Sequence, residues 1–463
     1  MKFKYAKLYK PQSYGLVLNA AVALCLLPMS GVMAQQSSLI TSGKVVALKE
    51  VALGHVKQTD QQADNQADKQ TEVKAIRKVD TDKADLIAPN IVPEALWDGR
   101  GKVPFHAVDY PKMVAATAAD FLDDGEYILG LTVNGQSRAS PTRFIWWHHF
   151  INDKTDKTGP DYPEFTLAYC SVCNTGIRFD PRVNGKRVLF DFYGLYNGVV
   201  TMCDRDTQSV WLSVEGRAVK GARTGSQLQM ASLLDTTWGE WRKRHPDTLV
   251  MSQENEYQRF YGDKTKVEPR GYDRFPMAVF EQTLTQHDKR LPMFDKVLAV
   301  TLAPDIIPPV AVTPTQAILP AKLHRAYPIA TLKEAKGVLN DTLGTLPVVA
   351  MLTLETQTAN AFSRLVDGKT LTFEARAEEG GKPLIYDKET GTRWNIEGVG
   401  EAGPLIGKTL TRIDNHLSQW YGWVAYFPNT SIYGRTDMPQ TEKVIFPKLA
   451  PPESTTPIPN AKP

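Results

Sequence analysis

Between about residues 96 and 446 the chain alternates short apolar runs with polar turns, and only a few stretches carry apolar residues at helical spacing. Asn184-Gly185 stands between Ile177-Arg178-Phe179 and Val188-Leu189-Phe190, which predicts a tight hairpin, because Asn and Gly accept the positive φ of a type I′ turn. A second hairpin is expected, with arms Val199 to Cys203 and Val210 to Val214 around a polar turn at Asp204 to Ser209. Thr237 and Glu240 make a capping-box pattern that opens a short helix, with Trp238 and Trp241 on one face as core residues and a stop before Pro246. A further helical piece, Thr142 to Phe150, carries Trp146, Trp147, His148 and His149 just ahead of a strand. The pattern predicts an α+β, strand-rich fold.

The same pattern occurs twice. Val183-Asn184-Gly185-Lys186 returns as Val366-Asp367-Gly368-Lys369, and Asp204-Arg205-Asp206-Thr207 with Trp211 returns as Asp387-Lys388-Glu389-Thr390 with Trp394, each 183 positions on. Trp238, Trp241 and Pro246 match Trp420, Trp423 and Pro428 at 182, while Arg138 to Pro141 and Ile151 to Asp153 match Arg325 to Pro328 and Leu339 to Asp341 at slightly larger offsets. A tandem duplication of one β-hairpin-rich unit with short helices is expected, the first unit at 96–265 and a second, degenerate one at 266–446.

Composition frames these units. Lys2, Lys4, Lys7 and Lys10 precede an apolar run from Gly15 to Leu27, and Val32-Met33-Ala34 supplies the small residues a signal peptidase reads, so residues 1–34 are expected to be a signal peptide. Residues 35–95 read as a disordered polar linker around QTDQQADNQADKQTEV, and 447–463 as a disordered Pro-rich tail. The expected location is the periplasm or the exterior. Val297 to Ala321 is broken by Asp305 and several prolines, so no integral membrane segment is expected after cleavage. With 54 basic and 51 acidic residues, and Arg242 to His245 as the one short basic cluster, no nucleic-acid footprint is seen.

The order ADFLDDGEYILGL, RASP, HFIND, AYCSVCNTGIRFDPRVNGK, MCDRDTQSVW and WGEWRKRHPDT resembles the bacterial proteins grouped as domain of unknown function 3179, over roughly Lys102 to Gly434. The resemblance implies exported proteins with a cysteine pair and a segment like His149 to Asp153, but no established activity. Cys203 departs from it, standing where tyrosine is usual.

Chemistry concentrates in the first unit. At the 183 offset Cys170 falls on Thr353, Cys173 on Thr356, Met202 on Ile385 and Cys203 on Tyr386, while His149, by the local offset of 188, falls on Gly337. Turn glycines and helix tryptophans are kept in both units and are explained by folding. Cys170, Cys173 and His149 are not, and they mark a site of the first unit alone.

Three readings of that site stand. Cys170 and Cys173 in a turn, with His149 and either Met202 or Cys203, suit a soft metal, Cu or Zn, supplied by an unknown periplasmic protein or metal donor; this is the leading reading. A redox pair of Cys170 and Cys173 is the alternative, and a structural disulfide in a non-catalytic scaffold is the third. A Cys/His nucleophile pair ranks below these, since an oxidising compartment works against a free catalytic thiol. Asn152 and Asp153 recur in the second unit and are expected to serve the fold, while Arg178, Arg182 and Asn197 are candidates for the pocket wall. No phosphate-binding glycine loop, His-Glu-x-x-His or Gly-x-Ser-x-Gly occurs, so no nucleotide cofactor is expected.

Overall fold

The computed structural model describes residues 86–231, 233–261, 272–303, 322–377 and 383–437, and the backbone of Thr441–Lys443. The expected signal peptide, most of the expected linker and the expected tail lie outside those residues. Strand dominates, and each described helix is short.

In the first half the elements are β1 (Tyr127–Val133), β2 (Gln136–Pro141), α1 (Thr142–His148), β3 (Phe150–Lys154), β4 (Glu164–Cys170), β5 (Thr175–Asp180), β6 (Phe190–Tyr196), β7 (Val199–Asp204), β8 (Val210–Leu212), β9 (Arg217–Lys220), β10 (Leu234–Thr237), α2 (Trp238–Arg244) and β11 (Leu249–Met251). They make sheets ordered β10-β1-β2-β11, β3-β4-β5 and β6-β7-β8-β9, with short strands added at some edges. A connecting helix, α3 (Ala278–Gln282), follows.

The second half runs β12 (Lys296–Leu302), β13 (Leu323–Pro328), α4 (Ile329–Glu334), β14 (Val338–Leu343), β15 (Leu346–Leu352), β16 (Ala359–Ser363), β17 (Phe373–Ala377), β18 (Pro383–Asp387), β19 (Arg393–Trp394), β20 (Gly400–Ala402), β21 (Asp414–Gln419), α5 (Trp420–Val424) and β22 (Ser431–Ile432). Its sheets are ordered β21-β12-β13-β22, β14-β15-β16 and β17-β18-β19-β20, strand for strand the orders of the first half. Even the one departure from antiparallel pairing among these strands recurs, with β11 parallel to β2 and β22 parallel to β13.

Buried polar groups that must find partners find the same ones in both halves. Trp211 Nε1 donates to Asp204 Oδ2 at 2.9 Å, and Trp394 Nε1 to Asp387 Oδ2 at 2.9 Å. The helix tryptophans are core residues. Trp241 Nε1 donates to Thr248 Oγ1 at 3.0 Å and Trp423 Nε1 to Thr430 Oγ1 at 2.9 Å. Asn152 brackets the backbone of Phe190, donating to its O and accepting from its N at 3.0 Å each, and Asn340 does the same to Phe373 at 2.7 and 2.9 Å.

Two local expectations are corrected. Asn184-Gly185 turns the chain at φ 52° and 76°, but its arms are only Arg182–Val183 and Lys186–Arg187, while β5 pairs with β4 and β6 with β7. Pro181 ends β5, because proline has no N–H for a ladder, and the small hairpin carries the chain from one sheet to the next. The helical piece begun at Thr142 ends at His148 and not at Phe150. His149, at φ 59°, reverses the chain, and Phe150 already belongs to β3.

The main apolar cluster draws on both halves. Cys170, Cys173, Met202 and Trp211 pack in it with Trp420, Tyr421 and Trp423.

Candidate functional site

β4 is apolar along most of its length and buried, so its last residue, Cys170, is delivered into the core. Residues 171–174 turn, with Asn174 at φ 51°, a left-handed conformation that asparagine tolerates, and Thr175 opens β5. The turn is tied at both ends. Asn174 Nδ2 donates to Asp235 Oδ2 at 3.3 Å, while Thr175 Oγ1 reaches Ser418 Oγ at 2.8 Å and Gln419 N donates to Cys173 O at 2.8 Å. The second half therefore holds the thiol turn in place. Gly422, on α5, lies so close that a Cβ there would stand 2.7 Å from Cys173 Cβ.

Cys170 and Cys173 are buried free thiols, with Cys173 Sγ 3.9 Å from Cys170 O. Burial pushes the Cys170 thiol up, but hydrogen bonds from the Cys173 thiol and from the N–H groups of Cys173, Val200 and Val172 outweigh it and hold Cys170 below the usual thiol range. Cys173 is pushed well up, first by burial and then by its hydrogen bond to Cys170 and the negative charge there. Cys173 is thus the thiol that keeps its proton, and its Sγ points at Cys170 O. The same turn in the second half brings Thr353 and Thr356 together, hydroxyl to hydroxyl. Side chains three apart meet there because the turn makes them meet.

His149 lies beside this turn in the ladder, since Tyr169 N donates to His149 O at 2.8 Å. Its Nδ1 stands 3.0 Å from Tyr169 O, a carbonyl that only accepts, so Nδ1 carries the proton and Nε2 the lone pair. Phe105 meets the ring edge-on and Phe192 stacks on it. Burial lowers its pKa to about 4.

The chain matches the family described as protein of unknown function (DUF3179) over residues 101–430. It belongs to that family. No curated protein and no solved structure matches it.

Among the described residues no group of three or more His, Cys, Asp or Glu side chains is placed to hold a metal ion. The two thiols come together, and His149 meets Tyr169 O and two phenylalanine rings. Met202 is buried on β7, opposite Phe192 and Trp211. Cys203 is buried one residue further on, its Sγ 4.0 Å from Phe192 O, and burial pushes its thiol up to about 12. Arg182 is occupied with Asp180, and Asn197 Oδ1 accepts from Thr285 N and Oγ1. What the sequence reading missed is the contribution of Gly422, Ser418 and Gln419, some 240 residues away, for which no local signal exists.

The buried imidazole gives a pH prediction. A histidine whose folded pKa lies below its unfolded value contributes stability that is present above pH ~6.5 and is lost as pH falls toward the folded value. His149→Gly should keep the turn, as Gly337 does at φ 90°, and should lessen the loss of stability on acidification by about one proton. His324 and His416, both lowered by burial to about 4, leave a residual slope. Urea unfolding at pH 7 and 5 measures this; equal pH dependence in the two proteins would mean that the ring is not held neutral.

Proposed function

We propose that the chain is an exported thiol–disulfide protein in which Cys170 and Cys173 cycle as a pair, and that its halves are two copies of one unit, the first of which alone carries the thiols. The observation behind the redox reading is the geometry of the turn, which brings two buried free thiols together three residues apart, with the Cys170 thiol held below the usual range and the Cys173 thiol above it. A lowered thiol favours the thiolate, the nucleophilic form. With α5 lifted off the turn, Cys170 attacks a sulfur of a disulfide RS–SR and expels one thiolate; Cys173 then loses its proton, attacks the mixed disulfide at Cys170 and expels the second. Two thiols of the protein are oxidised and one external disulfide is reduced. Compartment fits this use, since an exported chain meets disulfides as ordinary reactants.

A metal reading with Cys170, Cys173, His149 and Met202 comes second. What favours it is the carbonyl that fixes His149 with Nε2 as the lone-pair nitrogen, as ligating histidines are commonly held. Cys170, Cys173 and His149 as placed do not form a three-ligand group, so a bound Cu or Zn ion would have to draw His149 in toward the thiols.

The test is equilibration of the mature chain in glutathione buffers of graded ratio, followed by acid quench, maleimide labelling and mass counting. The pair should disappear together while Cys203 stays labelled, and Cys173→Ser should instead trap glutathione on Cys170. Thiols that stay reduced at every ratio would sink the redox reading. Retention of about one Cu(I) or Zn(II) per reduced chain, lost in His149→Ala, would put the metal reading first.

A further inference from the structure

A cleft of about 710 Å³ opens where α2 faces the turn after β15, lined among others by Thr353, Thr356, Glu240, Ile385 and Trp394. By the hydrogen bonds shared between the halves, this is the counterpart of the thiol site. Trp238 N donates to Glu126 O and Gly239 N to Asp124 O, as Trp420 N does to Asp295 O and Tyr421 N to Met293 O. Gly125 therefore stands where the thiol side has Phe294, and Gly239 where it has Tyr421.

The consequence is room on the cleft side that the thiol side lacks. On the thiol side Phe294 and Tyr421 pack ring against ring at 5.4 Å between centroids, and Phe275 adds a third ring 4.9 Å from Tyr421. On the cleft side both positions are glycine; a Cβ built on Gly125 would meet nothing within 4 Å, while one on Gly239 would stand 2.8 Å from Asp124 Cβ, so the open room lies at Gly125. The floor is apolar, with Leu384, Ile385, Trp394 and Ile396.

Charge at the rim is unevenly satisfied. Glu240 accepts from Thr236, Thr356 and Thr358 hydroxyls and from Arg244, Glu401 pairs with Arg393, and Asp124 with Arg242. Lys243 and Lys336 also line the cleft, and neither ammonium makes an ion pair or hydrogen bond among the described residues. Arg244 adds a buried Nη2 without an acceptor.

We propose that this cleft is a binding site for a small aromatic carboxylate, whose ring takes the space at Gly125 that Phe294 fills on the other side and whose anion meets Lys243 and Lys336. The volume is that of a small-molecule site, and apolar walls with a few convergent charges are what such sites present. The site stands independently of the thiol chemistry.

Titration of the full mature chain with 2-naphthoate by calorimetry tests it. Binding on the order of 10–100 µM is expected for a ligand of this size. Lys243→Glu with Lys336→Glu, a surface change that leaves the core alone, should weaken it at least about tenfold, as should Gly125→Phe, which fills the hollow from a position with room for the side chain. Neutral 2-naphthamide should bind at least about tenfold more weakly than the acid. No binding of naphthoate up to about 1 mM, equal affinity for the amide, or affinity unchanged in the lysine double variant would each overturn the assignment.

Discussion

Asp204→Ala is expected to lower the unfolding free energy by about 3–5 kcal/mol, and Asp387→Ala, in the other half, by about as much. Asp204 is fully buried, and its carboxylate accepts from Thr207 N at 2.7 Å, Thr207 Oγ1 at 2.9 Å and Trp211 Nε1 at 2.9 Å. Asp387 is equally buried and accepts from Thr390 N at 2.6 Å, Thr390 Oγ1 at 2.8 Å and Trp394 Nε1 at 2.9 Å. Removing either carboxylate strands a buried indole N–H, which costs about 1–3 kcal/mol beyond the lost bond, and takes the acceptor from a half-buried turn N–H and hydroxyl as well. Denaturant titration of the two variants reads the effect. A cost below about 1 kcal/mol in one half only would mean that its aspartate is spare there, and that the matched hairpins differ in what holds them.

The repeated hairpins were legible because their signals are local. Asp-x-x-Thr followed by tryptophan is a turn that closes on its own side chains, and it is read the same way wherever it falls. The Asn184-Gly185 turn was legible for the same reason, but its arms were not, since which sheet a strand joins depends on distant partners and on Pro181. His149 shows the limit from the other direction. Its loss at Gly337 reads in the sequence as lost chemistry, yet the structure adds a backbone reason, since both residues hold positive φ and a Cβ at Gly337 would stand 2.2 Å from Leu352 O. Glycine is the residue this turn favours, and histidine is the departure from it. The thiols were legible as a pair by spacing; their enclosure was not, because the wall is α5 of the other half.

That wall makes the last prediction the most demanding one. Gly422→Glu, which puts on α5 the residue that α2 carries at Glu240, is expected to cost more than about 4 kcal/mol and to release Cys170 and Cys173 to alkylation. An exposed helical glycine gains about 1 kcal/mol on replacement by a side chain that favours helix. Here the new Cβ would stand 2.7 Å from Cys173 Cβ and 3.3 Å from its Sγ, and such overpacking costs about 1–3 kcal/mol by itself. The carboxylate adds more. Around Glu240 three threonine hydroxyls and an arginine receive it, from Thr236, Thr356, Thr358 and Arg244. The corresponding places around Gly422 hold Ser418, Cys173, Thr175 and Tyr426, with no cation, and the hydroxyls of Ser418 and Thr175 are already bonded to each other. A carboxylate with no cation and weak thiol donors in a dry core costs several kcal/mol, so α5 must move off the turn or the halves must part. Because Gln419 N holds Cys173 O, either movement frees the turn as well. Unfolding midpoints and the rate of maleimide labelling at Cys170 and Cys173 measure the two effects together. A variant as stable as the parent, with thiols just as protected, would show that α5 does not seal the site.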